Sequence, residues 1–347
     1  MNTALSTSDK LSLIDNLGTM ISAGIPILEA VDSISEGAKK NQKKVLEVLK
    51  EDLNQGKTIA SSFKKFPRVF DKVSINLIKA AEEAGTLNTS LKDLTKNIKK
   101  DIEMAEKVRA AFIYPALVTV VFFAVIIMIL TFVIPRVATV FGRLRITLPL
   151  PTKILIVTSN AILNYWPFII LGFLFLVAGL VLLYRYKRPF FVNIFFSLPI
   201  ISKLAREIDF VRFTRSMSLL LSSGIPIIEA LELSENVVVK KEISHIIVES
   251  KNKIASGKKL SEGLRDSKKI IPSIMIHLVQ AGEQSGTMEK SFQELSEYFD
   301  SKVTASLKNL TILIEPALLL VIGLMVGGVM LSIIAPIYQL IGQIRTR

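Results

Sequence analysis

Three groups of residues in this sequence are of types that could do chemistry. Gly56-Lys57-Thr58 has the ending of a phosphate-binding loop, where a glycine, a lysine and a hydroxyl hold phosphates and magnesium. Such a loop needs a further glycine at position 51, which is Glu51, and the corresponding later stretch is Gly257-Lys258-Lys259, without the hydroxyl. These glycines read as helix boundaries instead. Serine, histidine and aspartate are present, yet nothing like Gly-x-Ser-x-Gly occurs. The two histidines, His245 and His277, face Val45 and Leu77 at an offset of 200 and read as packing positions. The absence of cysteine excludes thiolate nucleophiles, Cys-bound zinc and iron-sulfur clusters. Glu82 and Glu283 each stand among small residues just before a Gly-Thr break, where a carboxylate would cap the N-terminus of the next helix. As ligands for a hard divalent cation they are weak candidates, since one carboxylate falls far short of the ~6 oxygens such an ion takes. The expectation is a protein that is not an enzyme, with no cofactor and no small-molecule substrate.

The net charge of +13 is not gathered into a basic stripe with interleaved aromatics, so direct nucleic-acid binding is not expected. It belongs to mixed solvated faces and to Lys and Arg flanking apolar segments. The mean hydropathy of +0.47 comes from three stretches, 111–135, 154–183 and 311–335, each long enough for the ~20-residue helix that crosses a bilayer. The first twenty residues carry Asp9, Lys10 and Asp15 and no apolar core of a signal peptide, so the first apolar stretch is expected to direct insertion.

What must position any functional residue is an internal repeat. Ser22-Ala23-Gly24-Ile25-Pro26-Ile27-Leu28-Glu29-Ala30 returns as Ser222-Ser223-Gly224-Ile225-Pro226-Ile227-Ile228-Glu229-Ala230 at an offset of 200. After one inserted residue the offset is 201, and Ala81-Glu82-Glu83-Ala84-Gly85-Thr86 matches Gly282-Glu283-Gln284-Ser285-Gly286-Thr287. Pro115-Ala116-Leu117 and Pro316-Ala317-Leu318 open two of the apolar stretches, and Pro135 and Pro336 close them. Apolar residues recur at helical spacing, as at Leu11, Ile14, Leu17 and Ile21, and alternation of period two is scarce. Gly24 and Gly224 suit a left-handed helix end, and Pro26 and Pro226 suit the first turn of the next helix.

The pattern predicts an all-α protein with two homologous helical-bundle domains and three transmembrane helices. The expected order is a cytoplasmic domain over 1–110, a span over 111–135, an external connector over 136–153 and a second span over 154–183. A second cytoplasmic domain follows over 184–310, then a third span over 311–335 and an external tail over 336–347. Orientation rests on Lys and Arg near the span ends. Twelve lie on the flanks assigned to the cytoplasm, among them Lys99, Lys107, Arg109, Arg185 and Lys308, against six outside, such as Arg136, Arg143 and Lys153. Glu315, one residue before Pro316, reads as a membrane-edge group able to reach the interface. Gly323 and Gly327 form a Gly-x-x-x-Gly with Gly328 following, a surface for helix packing. Asn160 and Asn164 in the middle span support an alternative, an oligomeric membrane transporter built from repeats.

The paired Ser-x-Gly-Ile-Pro-Ile-x-Glu-Ala, the paired Ala-x-Glu-x-x-Gly-Thr-Leu/Met, Tyr-Pro-Ala-Leu, Glu-Pro-Ala-Leu and Leu148-Pro149-Leu150-Pro151-Thr152 together resemble one family over nearly the whole chain. It is the inner-membrane platform protein of type IV pilus and type II secretion machines, the F component of the latter. The resemblance implies a multi-pass protein of the bacterial inner membrane without chemistry of its own. Its implied partners are a cytoplasmic hexameric assembly or retraction ATPase, pilin or pseudopilin subunits, other inner-membrane components and further copies of itself. A first domain beginning near Met1 looks like competence pseudopilus platforms and compact pilus systems. Asp15 stands where the second repeat has Arg215, and this reversal suggests that the two domains present different partner surfaces.

Overall fold

The computed structural model describes residues 3–143, 149–186 and 199–345, and every regular element among them is helical. Repeat 1 consists of α1 (Thr7–Ser22), α2 (Ile27–Glu36), α3 (Lys40–Asn54), α4 (Ile59–Phe63), α5 (Lys72–Ala84) and the long α6 (Leu87–Met128). A π turn at Ile129–Val133 leads into α7 (Ile134–Arg143), and α8 (Leu150–Tyr186) follows. Repeat 2 runs through α9 (Pro199–Ser222), α10 (Ile227–Glu235), α11 (Lys241–Ala255), α12 (Leu260–Arg265), α13 (Ser273–Ser285) and α14 (Met288–Arg345). The chain forms two compact units, Met1–Lys107 with Pro199–Ala305, and Val108–Leu198 with Ser306–Arg347. The start of the second soluble domain expected at 184 adjoins residues 187–198, which lie outside those described. The segment 336–347 is helical through Arg345, because α14 continues past Pro336.

In the first unit each repeat buries one stripe per helix. Leu13, Ile14 and Leu17 of α1, Leu46 and Leu49 of α3, Leu77 of α5 and Leu91 and Leu94 of α6 are all withdrawn from water as the apolar core of repeat 1. Repeat 2 fills the same places with aromatics. Phe213 and Phe292, which replace Leu13 and Leu91, meet edge to face at 5.8 Å, and Phe210 lies 5.1 Å from Phe299.

Gly24 and Gly224 have φ of +81° and +79°, the left-handed conformation in which a side chain is strained, while Pro26 and Pro226 are the N-cap residues of α2 and α10. The prolines thus sit one residue before the first turn that the sequence suggests. A Cβ placed on Gly24 or Gly224 meets no atom within 4 Å, so two helices do not crowd these glycines, and only the backbone conformation demands them.

The run Leu87–Arg143 and α14 from Met288 to Tyr338 are long and apolar enough to cross a membrane, and the second unit holds the part of each from Val108 and from Ser306 onward. Helix α8 has 37 residues, and its sequence from Ile154 to Leu183 holds no charged side chain, which makes a third span plausible. The helix bends at Tyr165, ahead of Pro167, as the missing N–H and ring clash of a proline require. Polar side chains join these helices through freed carbonyls. In the π turn the Ile134 N–H bonds to the Ile129 carbonyl, so the corresponding donor for Leu130 would be Pro135, which has none. Ser159 of α8 supplies it instead, its hydroxyl 2.5 Å from the Leu130 oxygen. Thr152 donates likewise to the Ser332 carbonyl of α14. Such bonds contribute about 0.6–2 kcal/mol each between membrane helices. Asn160 and Asn164 are exposed on the outer surface of α8 rather than turned to a path between helices.

Gly24→Val and Gly224→Val should each destabilise the purified protein by about 1–2 kcal/mol through the left-handed backbone alone. Gly24→Asn, which tolerates that conformation, should recover most of the loss in the same thermal melts.

Candidate functional site: the junction between the repeats

The side chains that the sequence marked are used by the fold itself. Lys57 pairs with Asp52 at 3.0 Å, and Thr58 caps α4 by accepting from the Ser61 N–H. Glu82 accepts from the Ile59 N–H at 2.6 Å and the Ala60 N–H at 2.9 Å, and Glu283 accepts from the Leu260 N–H and from Ser261. Each carboxylate caps a helix start, but that of the short helix 22–23 residues earlier, α4 or α12, and not the helix after the Gly-Thr break. Three-dimensional packing brings those orphan N–H groups closer than the local chain does. No group of three or more His, Asp or Glu residues suited to a metal ion occurs among the described residues. Gly85 and Gly286 end α5 and α13 in the left-handed region.

The histidines correct the sequence reading. Past the inserted residue the offset is 201, which aligns His245 with Lys44 and His277 with Asn76, and both histidines are exposed. The buried partners of Val45 and Leu77 are Ile246 and the half-buried Leu278. Pro115 and Pro316 lie inside α6 and α14 without ending them, and Glu315 is exposed. An added Cβ on Gly323 or Gly327 meets no neighbouring element within 4 Å among the described residues. Gly328 lines an apolar groove of about 400 Å³ with Leu130, Leu155 and Met325.

The residue that organises the first unit is Arg215, the counterpart of Asp15, and its charge is spent inside the molecule. Its side chain is only 8% exposed and donates to Asp300 of its own repeat at 3.3 Å and to Asp101 of repeat 1 at 2.7 Å. Lys107 reaches the other oxygen of Asp300 at 2.8 Å. Four alternating charges thus clamp α6 to α9 and α14. A buried guanidinium is tolerable only with carboxylates in place, so this cluster fixes how the repeats dock. Beside it, α9 and α10 pack against α5, and Lys72 donates to Asn236 at 3.1 Å. The Gly224-Ile225-Pro226 corner lies across a cavity of about 530 Å³ from Asn76, Lys79, Ala80 and Glu83.

The signal for this cluster was present at the repeat offsets. Asp15 and Lys99 pair at 3.7 Å in repeat 1, and their counterparts are Arg215 and Asp300 with both signs exchanged. The pair of the buried Asp52 with Lys65 at 2.6 Å has the counterpart Lys253–Asp266, again exchanged. Lys50–Asp32 and Lys251–Glu232 keep their signs. Each repeat preserves the interaction rather than the residue.

The hydrogen bond from Lys65 holds the Asp52 carboxyl at about 2, below its ordinary 3.8, against the opposing effect of burial.

With this geometry in view, the comparisons decide the family. The model for type II secretion system protein F matches residues 13–135 and 213–336, one match per repeat. The chain belongs to that family. It is 30% identical to a type IV pilus assembly protein PilC of Myxococcus xanthus over 340 residues, 97% of this chain and 81% of that protein. It is 28% identical to the type II secretion system protein F of Aeromonas hydrophila over 340 residues, 96% of this chain and 87% of that one. A type IV pilus assembly protein PilC of Pseudomonas aeruginosa matches at 28% over 332 residues, 93% and 87% of the two chains. This is a type II secretion F-family membrane protein with two repeated helical domains, and pilus and secretion machines share the family.

Arg215→Ala should destabilise the protein by about 2 kcal/mol, between the values for exposed and buried pairs. Combining Arg215→Asp with Asp300→Lys rebuilds the repeat 1 arrangement and should restore only the pairing inside repeat 2. Adding Asp101→Lys and Lys107→Asp should then recover docking of the repeats, read by cross-linking between α5 and α10. Because the Asp52 pKa is lowered on folding, its stabilisation is full above about 4 and is lost as pH falls towards 2. Asp52→Asn should lower the melting temperature at pH 7 and flatten its fall in that acid window.

Proposed function

We propose that this chain is the inner-membrane platform of a type IV pilus or type II secretion machine, coupling a cytoplasmic hexameric assembly ATPase to extraction and polymerisation of pilin or pseudopilin subunits. The observation that carries this reading is the continuity of α6 and α14. Each begins at the Gly-Thr break inside its repeat and runs without interruption into an apolar segment, α6 to Met128 and α14 to Arg345. An α-helix transmits displacement along its axis because its backbone hydrogen bonds are intrahelical. A chain whose repeats consume their own carboxylates, lysines and hydroxyls in caps and ion pairs is suited to transmission rather than to bond-breaking.

In this reading both repeats are cytoplasmic, with the soluble domains over 1–110 and 184–310, the spans over 111–135, 154–183 and 311–335, and the connector 136–153 and tail 336–347 outside. The Lys and Arg bias supports it. The apolar groove of Ile126, Leu130, Leu155, Met325 and Val329 suits the hydrophobic helix of a pilin subunit, since membrane helices associate by close packing. The exposed positions of Asn160 and Asn164 disfavour the transporter alternative.

Two equivalent exposed positions test the topology. Lys44→Cys and His245→Cys should resist a membrane-impermeant thiol reagent in intact cells and react after lysis, the chain having no other cysteine. Reaction of either in intact cells would refute the assignment. Co-purification with the machine's ATPase should survive Lys57→Ala and fail when Arg215→Glu separates the repeats.

A further inference from the structure

The two repeats meet α8, the one long helix that is not repeated, at the same point of their apolar segments. Pro135 and Pro336 are equivalent at the offset of 201, and neither has an N–H for the carbonyl one turn back. Helix α14 stays α through Pro336, so the freed carbonyl is that of Ser332, and it takes the Thr152 hydroxyl. In α6 the π turn moves the freed carbonyl back by one residue, to Leu130, and it takes the Ser159 hydroxyl. Thr152 and Ser159 are both buried and stand seven residues apart, two turns along one face of α8. Thr131 and Ser332 occupy matching positions, and each hydroxyl donates to the carbonyl four residues back, Ile127 and Gly328. The same joint therefore exists twice in one molecule, once in π and once in α register.

We propose that the joint of α6 is a two-state switch, in which Ile129–Val133 converts between π and α register and the Ser159 hydroxyl decides between them. In α register Pro135 frees the Thr131 carbonyl, and in π register that of Leu130. Carbonyls of successive helical residues point about 100° apart, so Ser159 serves only the second. A carbonyl without a donor is costly among apolar side chains, and this holds the otherwise rare π turn in place. Once the hydroxyl is withdrawn, either register leaves one carbonyl unserved and the ordinary α register takes over, as in α14. The change takes one residue out of the turn, so every position of α7 rotates by about 100° relative to α6. Val140, 56% exposed, then takes the place of Phe141, 5% exposed, on the buried side of α7. Ile129 and Leu130 of this joint and Ser332 of the other line the same apolar groove of about 400 Å³, so the register also sets the shape of that groove. The switch does not depend on what the groove receives.

The test uses the full chain in detergent micelles, which has no cysteine of its own. Val140→Cys and Phe141→Cys are made separately, and their rates of reaction with N-ethylmaleimide are compared. The Val140→Cys chain should react fast and the Phe141→Cys chain slowly. Adding Ser159→Ala should invert this order, whereas Ser159→Thr, which keeps a hydroxyl, should preserve it. Thr152→Val should preserve it too, because Thr152 serves the other joint. Pro135→Ala gives the α register its missing N–H and should invert the order with Ser159 in place, which decides the matter if Ser159→Ala fails to fold. An order unchanged by Pro135→Ala would overturn the proposal. Equally fast reaction at both positions in the folded Pro135→Ala chain would overturn it as well, since α7 would then have left its seat rather than turned. Inversion by Thr152→Val would do the same, because the two hydroxyls would then act through the packing of α8 as a whole.

Discussion

A guanidinium that is almost wholly withdrawn from water needs carboxylates around it, and in this protein they come from two different repeats. Arg215 holds Asp300 of its own repeat and Asp101 of the other, and Lys107 completes the set. Losing any one of these groups leaves an uncompensated charge at the place where α6, α9 and α14 meet. The stability of each bundle comes from apolar burial, but their mutual placement depends on this cluster. Apolar packing is tolerant of angle, whereas Arg215 must satisfy two carboxylates from separate elements at once.

The repeats share a core and differ in what surrounds it. Leu13 and Leu91 become Phe213 and Phe292, and two ion pairs exchange their signs in passing from one repeat to the other. An exchange of both signs keeps an attraction intact while making the two surfaces distinguishable, so that repeat 1 is not a substitute for repeat 2. The buried member of the exchanged set is the one that also binds across the junction. The exposed member, Asp15–Lys99, is left facing solvent.

Much of this was legible in the sequence. The repeat, the apolar stretches and the Gly-Ile-Pro corners follow from periodicity and from residues with special backbone preferences, which are local properties. What escaped was non-local. Glu82 caps a helix that precedes it by more than twenty residues, and nothing in its immediate neighbours says so. His245 and His277 fall on core positions at an offset of 200 and on the surface at 201, because a one-residue shift in register moves a helix position by about 100°. Arg215 read as a surface charge because a buried arginine is recognisable only from its partners, Asp101 and Asp300, which lie 114 and 85 residues away. The Gly24 corner was legible in its conformation, because φ is dictated by residue type, whereas the open space around it is a property of the packing alone.

The central claim is that Arg215 makes the two repeats one block. Spin labels on exposed positions, Lys44→Cys and His245→Cys, report the distance between repeats in the full chain by pulsed dipolar spectroscopy. The account predicts a narrow distribution that broadens on Arg215→Ala and narrows again when Arg215→Asp is combined with Asp300→Lys, Asp101→Lys and Lys107→Asp. A distribution unchanged by Arg215→Ala would show that apolar packing alone sets the arrangement, and would contradict the account.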